Sequence, residues 1–244
     1  MVAVSRLNNR RFAAVTGAKC AAFVVVAGAG VFALQWYDVP LMRFRYRLMP
    51  DEVSGLLDQV LTGLRDFGQI VTFIVVIAVV AAFDARRRRI ITALVISQAL
   101  AWVGYQIPKH FVARYRPWAA IERVSPLERL AVDDTWLESR VGLRGDAIRS
   151  FPSGHSAASF ALAAVLGTFY GRLRWLLWLL AVGCALSRYL DAVHWPSDCW
   201  TGAALGFSAA WLVGRIQAAR SERNAYAATV APPDADRSRR PAEP

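Results

Sequence analysis

The sequence predicts an all-α integral membrane protein: a six-helix bundle with an extracytoplasmic loop and an interfacial amphipathic helix. Three observations carry that reading. Of the 244 residues, 56% are hydrophobic and only 19% charged, outside the usual range of soluble globular chains. Six apolar runs recur along the chain. The basic residues gather at the ends of those runs rather than along a stripe, so the net charge of +11 reads as membrane topology and no nucleic-acid partner is expected.

The first run covers residues 13–36. It exceeds the apolar core of a cleaved leader, roughly 7–15 residues, and other runs follow it, so a retained span is expected. Next come Val53, Leu56, Leu57, Val60, Leu61 and Leu64, at spacings of three and four, opposite Ser54, Asp58, Gln59 and Thr62. That is an amphipathic helix, either lying along the bilayer surface beside a lateral entry or packed as a cover on the bundle. Runs at 67–83, 90–108, 151–170, 175–193 and 199–214 complete the set. Most approach the ~20 residues that cross a ~30 Å hydrocarbon core, and the last, being short, needs a thinned bilayer or an extension.

Four basic clusters share one side of this arrangement: Arg6, Arg10 and Arg11; "DARRRR" at 84–89; Arg172 and Arg174; and Arg215, Arg220 and Arg223. The positive-inside rule puts them, and both termini, in the cytoplasm. Arg43, Arg45 and Arg47 fall in the first outer loop and are read as interfacial or phosphate-attracting. The chain then divides into a cytoplasmic N-terminus (1–12), a six-span domain (13–214) and a cytoplasmic tail (215–244). The tail ends in "APPDADRSRRPAEP" and is expected to be largely disordered. Cys20, Cys184 and Cys199 have no paired spacing and are read as small core residues, implying neither disulfide nor metal site.

Small residues recur every fourth position in two runs: Ser159, Ala163, Gly167 and Gly171 in the fourth, and Gly202, Gly206, Ala210 and Gly214 in the sixth. That spacing lets two helix backbones approach closely. Paired so, both helices begin at the outer face, and the polar residues at their starts share one place.

Those starts carry the chemistry. In "FPSGHSAAS", Pro152 and Ser153 mark a helix start with Ser153 as N-cap, so Gly154 and His155 lie in a first turn whose free N–H groups favour an anion. In "HWPSDCW", Asp198 follows His194 by four residues. A carboxylate accepting one ring proton fixes the tautomer and leaves the other nitrogen free to act as a nucleophile. The stretch "KHFVARYRP" supplies Lys109, Arg114 and Arg116 within the polar segment 109–150, and Arg188 closes the fifth run. Cations, two imidazoles, a carboxylate and a helix terminus together fit a phosphate ester. His110 is read as an interfacial residue, Arg114 as a solvated charge in preference to a phosphate ligand, Ser187 as a hydrogen-bonding residue within the site, and Trp118 and Trp195 as interface-belt aromatics.

The three stretches match, in order and spacing, Lys-x6-Arg-Pro, Pro-Ser-Gly-His and Ser-Arg-x5-His-x3-Asp. In this the chain resembles the type 2 phosphatidic acid phosphatase superfamily, in its membrane lipid phosphatase branch, a family that also contains class A acid phosphatases and vanadium haloperoxidases. The motif match covers residues 109–198. The resemblance implies that Lys109, Arg116 and Arg188, helped by Ser153 and Gly154, bind the phosphoryl oxygens. It implies that His194, oriented by Asp198, forms a phosphohistidine while His155 serves as acid and then base, without metal or other cofactor. The expected activity is metal-independent hydrolysis of a lipid phosphate at the extracytoplasmic face of a bacterial inner membrane. Undecaprenyl diphosphate is the first choice of substrate, with phosphatidylglycerol phosphate, phosphatidic acid and lipid A phosphates as alternatives. A vanadate-dependent haloperoxidase and a non-catalytic lipid-binding protein are the readings from other classes.

Overall fold

The computed structural model describes residues 2–49, 55–122 and 145–230, with side chains from Ala22 onward in the first helix. Its elements are α1 (Val2–Leu48), α2 (Leu56–Asp66), α3 (Ile70–Phe83), α4 (Arg87–Phe111), α5 (Pro117–Glu122), α6 (Gly154–Phe169), α7 (Arg174–Leu190) and α8 (Pro196–Val230). Among the described residues there is no strand, only an isolated parallel bridge between Arg114 and Arg149. Most of the segment between the first and second motifs, residues 123–144, lies outside the described residues.

Each of the six apolar runs falls on a helix, but the boundaries move. Among the described residues three segments are long and apolar enough to cross a membrane: Ala22–Leu48, Arg87–Phe111 and Gly171–Leu190. A fourth arises if α2 and α3, bent by 61° at their junction, count as one broken span, and Gly154–Phe169 is apolar but shorter. Along these helices Val71, Ile74 and Val75 on α3 and Trp175, Leu179 and Val182 on α7 are exposed, as side chains facing hydrocarbon must be.

α1 runs on through Leu48, so Arg43, Arg45 and Arg47 stand on its last turns rather than in a loop. Arg45 is buried and donates from Nε to the Leu190 carbonyl at 2.8 Å. α8 likewise continues to Val230, which makes residues 215–230 helical where the sequence reading had tail. Its stretch "QAARSERNAYAA" is rich in strong helix formers and propagates the preceding helix. Residues 231–244 and the side chain of Cys20 lie outside the description. The amphipathic stretch from Leu56 onward lies on α2, Val53 and Ser54 being outside the described residues; Leu61 is buried, and Leu64 reaches the space over Gly183 of α7. α2 is thus a cover on the bundle at that point.

The core joins α4, α6, α7 and α8 through Ile90, Leu94, Leu162, Val165, Leu177 and Val213. α6 and α8 are in backbone contact, but through a different row of α6 than the small-residue repeat implied. A Cβ on Gly202 would fall on the Ser153 carbonyl, and one on Gly206 on the Ala157 carbonyl. The facing row is therefore Ser153, Ala157 and Ala161, while Gly167 faces Arg174, and Gly171 and Gly214 have nothing within 4 Å. The N-cap geometry decides this, because Ser153 is tied to α8 by its own N–H, which donates to the Asp198 carbonyl at 3.0 Å. Gly206→Ala is expected to push the helices apart and cost about 1–3 kcal/mol, read as a lowered unfolding midpoint of the detergent-solubilised protein.

At the end of the bundle away from the motifs, Asp84 accepts from the Arg86 N–H at 2.7 Å and from the Tyr170 hydroxyl at 2.8 Å. The Arg86 hydrogen bonds hold its carboxyl well below the usual carboxylate range. This staples the α3–α4 turn to the end of α6.

Candidate active site

Each motif residue is placed by a helix end. Lys109 stands in the last turn of α4, Arg188 in the last turn of α7, Gly154 and His155 open α6, and His194 lies in the short connection before α8. Ser153 is the α6 N-cap, its hydroxyl accepting from the Ser156 N–H at 3.4 Å. Arg116 is positioned by a backbone clamp in which Arg116 N donates to Ala147 O at 2.8 Å and Arg114 N to Ile148 O at 3.1 Å.

These ends meet around one cavity of about 730 Å3. Lys109, Arg116, Arg149, Arg188, His155 and His194 line it, with Asp146 and Gly154. The other wall is mainly apolar, made by Phe67, Ile70 and Phe73 beside α3, Val95 and Trp102 of α4, and Leu162 of α6, with Gln69 and Gln98 among them. The junction of α2 and α3 closes tightly on the first turn of α6, for a Cβ on Gly68 would lie 2.6 Å from the His155 carbonyl oxygen. The cavity thus has the two ends a lipid phosphate needs, one for charge and one for hydrocarbon.

The cations do not stand alone. Arg116 gives Nη2 to Asp146 at 2.8 Å and Nε to the Asp146 carbonyl at 3.0 Å. Burial pulls the Arg116 pKa down, Asp146 opposes this, and the neighbouring Arg149 adds to it. Arg188 gives Nη1 to Asp191 at 2.9 Å, and its buried Nε has no hydrogen-bond partner among the described residues.

His194 is buried, 3% exposed. Its Nδ1 stands 3.8 Å from Asp198 Oδ2, longer than a hydrogen bond, and has no other partner among the described residues. The expected His194–Asp198 bond is therefore not made, because the carboxylate is already taken. Arg114 Nη1 and the Ser150 hydroxyl each donate to it at 2.5 Å, and the Trp195 N–H at 2.9 Å. Burial pushes the His194 pKa down to about 4 against the pull of Asp198, so the ring is neutral at ordinary pH.

Arg114 overturns its sequence reading. Far from solvated, it is 1% exposed, and its Nη2 reaches Asp38 of α1 at 2.5 Å while its Nη1 bonds Asp198 and the Ser197 hydroxyl. Asp38 in turn accepts from the Ser197 N–H at 2.9 Å and from the Ser197 hydroxyl. A guanidinium buried between two carboxylates is held by charge on both sides. The signal for Asp38 was a lone acid in an apolar segment, a placement that demands a partner.

Trp195 is also no belt residue. It is 1% exposed, packs with Met42, Ala120 and Ala192, and donates from Nε1 to the Tyr115 carbonyl at 2.7 Å. The Trp118 N–H donates to the Ala192 carbonyl at 3.1 Å. Ser187 turns back into its own helix and donates to the Cys184 carbonyl at 2.8 Å. His110 is exposed beyond the cavity, with Nδ1 2.8 Å from the Gln106 carbonyl. Cys184 and Cys199 are buried and unbridged.

The model of the PAP2 superfamily matches residues 88–222, which takes in all three motifs. Among curated relatives, the bacitracin transport permease protein BcrC of Bacillus licheniformis is 27% identical over 128 residues, 52% of this chain and 56% of that protein. The undecaprenyl-diphosphatase of Sulfolobus acidocaldarius is 28% identical over 173 residues, 70% of this chain and 76% of that protein. Among solved structures, Aquifex aeolicus LpxE shares the fold with a TM-score of 0.55 at 23% identity, covering 73% of this chain and 94% of that one. Helices apolar enough to cross a bilayer, three motifs meeting at their ends and a family match over more than half the sequence lead to one assignment: this is an integral membrane protein and it belongs to the PAP2 superfamily.

Proposed function

We propose that the chain is a metal-independent lipid phosphatase that hydrolyses a polyprenyl diphosphate, with undecaprenyl diphosphate as first choice, through a phosphohistidine on His194. The observation that carries this is the two-ended cavity, in which two imidazoles and four cations meet at one end and an apolar wall between α3 and α4 forms the other. Resemblance to an undecaprenyl-diphosphatase supports the choice of headgroup. Six crossings, with the cavity at the extracytoplasmic face and both termini in the cytoplasm, complete the proposal.

In this mechanism Lys109, Arg116 and Arg188 take the terminal phosphoryl oxygens, and the Gly154 N–H adds the positive end of α6, while Ser153, whose own N–H is spent on the Asp198 carbonyl, caps that helix start. With Nδ1 turned toward Asp198, His194 presents Nε2 to phosphorus. Attack forms the P–N bond as the bond to the leaving oxygen breaks, and His155 passes its proton to that oxygen. The negative charge of the bound phosphate favours the imidazolium form that this step requires. His155, now neutral, takes a proton from water, the water oxygen attacks phosphorus, and the P–N bond breaks to restore His194. The 3.8 Å separation between His194 and Asp198 is expected to close to a hydrogen bond as charge develops on the ring, since such contacts tighten in the reacting complex.

The test is phosphate release by the detergent-solubilised chain from polyprenyl diphosphate, phosphatidylglycerol phosphate, phosphatidic acid and lipid A phosphates, with and without EDTA. EDTA-insensitive turnover, fastest on the polyprenyl diphosphate, is the expected result; no release from any member of the panel would sink the proposal. His155→Ala should lower kcat by about 10²–10⁴-fold on a lipid monophosphate, whose leaving group is an alkoxide. The loss should be much smaller on p-nitrophenyl phosphate, whose leaving group needs no proton.

A further inference from the structure

Four cations line the polar end of the cavity, and the mechanism above uses three of them. The fourth, Arg149, lies four residues before Ser153 and outside all three motifs. Its position is built rather than accidental. The backbone around it is clamped to the segment holding Arg114 and Arg116: Ser150 N donates to Arg114 O at 3.2 Å, and residues 114 and 149 form the isolated bridge. Arg149 N also closes the preceding turn on the Asp146 carbonyl at 3.1 Å. The side chain is half-buried and, among the described residues, has no ion-pair partner.

The charges of this end do not balance around a single phosphate. Among the described residues Asp146 is set against Arg116 and Asp191 against Arg188, while no carboxylate is set against Arg149. Arg149 and Arg116 sit close enough to repel, an arrangement that costs free energy until an anion arrives. A monoester phosphate brings about two negative charges and can be served by the three motif cations with the α6 terminus. A diphosphate monoester brings about three, with a second group of acceptor oxygens to satisfy. Arginine, with its planar fork of donors, suits that group.

We propose that Arg149 binds the second phosphate of a diphosphate headgroup and thereby makes the cavity selective for lipid diphosphates over lipid monophosphates. This rests on the phosphatase reading above. The attacked phosphoryl stays with Lys109, Arg116 and Arg188, and Arg149 grips the oxygens that leave, so it acts on binding and on the departing charge rather than on the nucleophile.

The experiment compares the full chain with Arg149→Gln and Arg149→Lys, on a polyprenyl diphosphate and on the matching monophosphate. The ratio of kcat/KM for diphosphate over monophosphate is expected to fall about tenfold or more in the Gln variant, mainly through KM, which is the scale of one charge-assisted hydrogen bond. Lys should restore most of it. Inorganic pyrophosphate and phosphate, titrated calorimetrically into the same proteins, give a readout without turnover, and pyrophosphate should lose its preference by the same factor. An unchanged ratio, or equal losses on both headgroups, overturns the assignment of Arg149. A chain that binds pyrophosphate through Arg149 yet releases no phosphate from any lipid would instead refute the phosphatase reading and leave this one standing.

Discussion

Replacing His194 with Ala is expected to lower phosphate release from a lipid diphosphate by at least about 10⁴-fold, with KM little changed. Hydrolysis through a phosphohistidine has no route without the ring that attacks. His155→Ala removes only proton transfer and should retain more activity, the more so with good leaving groups. The order of the two losses is therefore diagnostic. Rapid quenching with radiolabelled substrate should trap label on the wild-type chain and none on His194→Ala. Full turnover in that variant would end the mechanism and favour a scaffold or lipid-binding role for the same cavity.

Arg114→Met is expected to destabilise the folded chain by about 3–5 kcal/mol, the cost of leaving buried charges without their partner. Asp38 and Asp198 are each at most 1% exposed, and Arg114 is the cation between them. Removing it leaves two buried carboxylates whose side-chain hydrogen bonds, among the described residues, come from Ser197 and Ser150. Adding Asp38→Asn to Arg114→Met should cost less than the two single losses combined, because the pair act as one unit. Chemical unfolding of the detergent-solubilised proteins measures both. Additive losses would show that the bridge from α1 carries no coupling. The same variant bears on catalysis, for Arg114 holds Oδ1 of the carboxylate whose Oδ2 faces His194, and so fixes its orientation.

Much of this was legible in the chain. Local sequence is enough for the helices, because an apolar run of the right length must be satisfied internally in lipid and a helix is the way to do it. It is enough for the Ser153 cap, which needs only a hydroxyl three residues from an N–H. The three motifs named the residues that line the cavity, Lys109, Arg116, Gly154, His155, Arg188 and His194, because each sits at a helix end where polar groups interrupt hydrocarbon.

What the sequence by itself determined, then, is the membrane class, the helical elements and the set of polar residues available at their ends. What only the tertiary structure decided is who holds whom: that Asp198 spends its oxygens on Arg114 and Ser150 before His194, that Arg114 is buried against Asp38, that α6 meets Gly202 and Gly206 with the row Ser153, Ala157 and Ala161, and that Arg149 stands in the cavity. Spacing along a helix reports which residues share a face but not the rotation of that face against its neighbour. An ion pair between residues 76 or 84 positions apart leaves no periodic trace, since its energy depends on burial and distance in space.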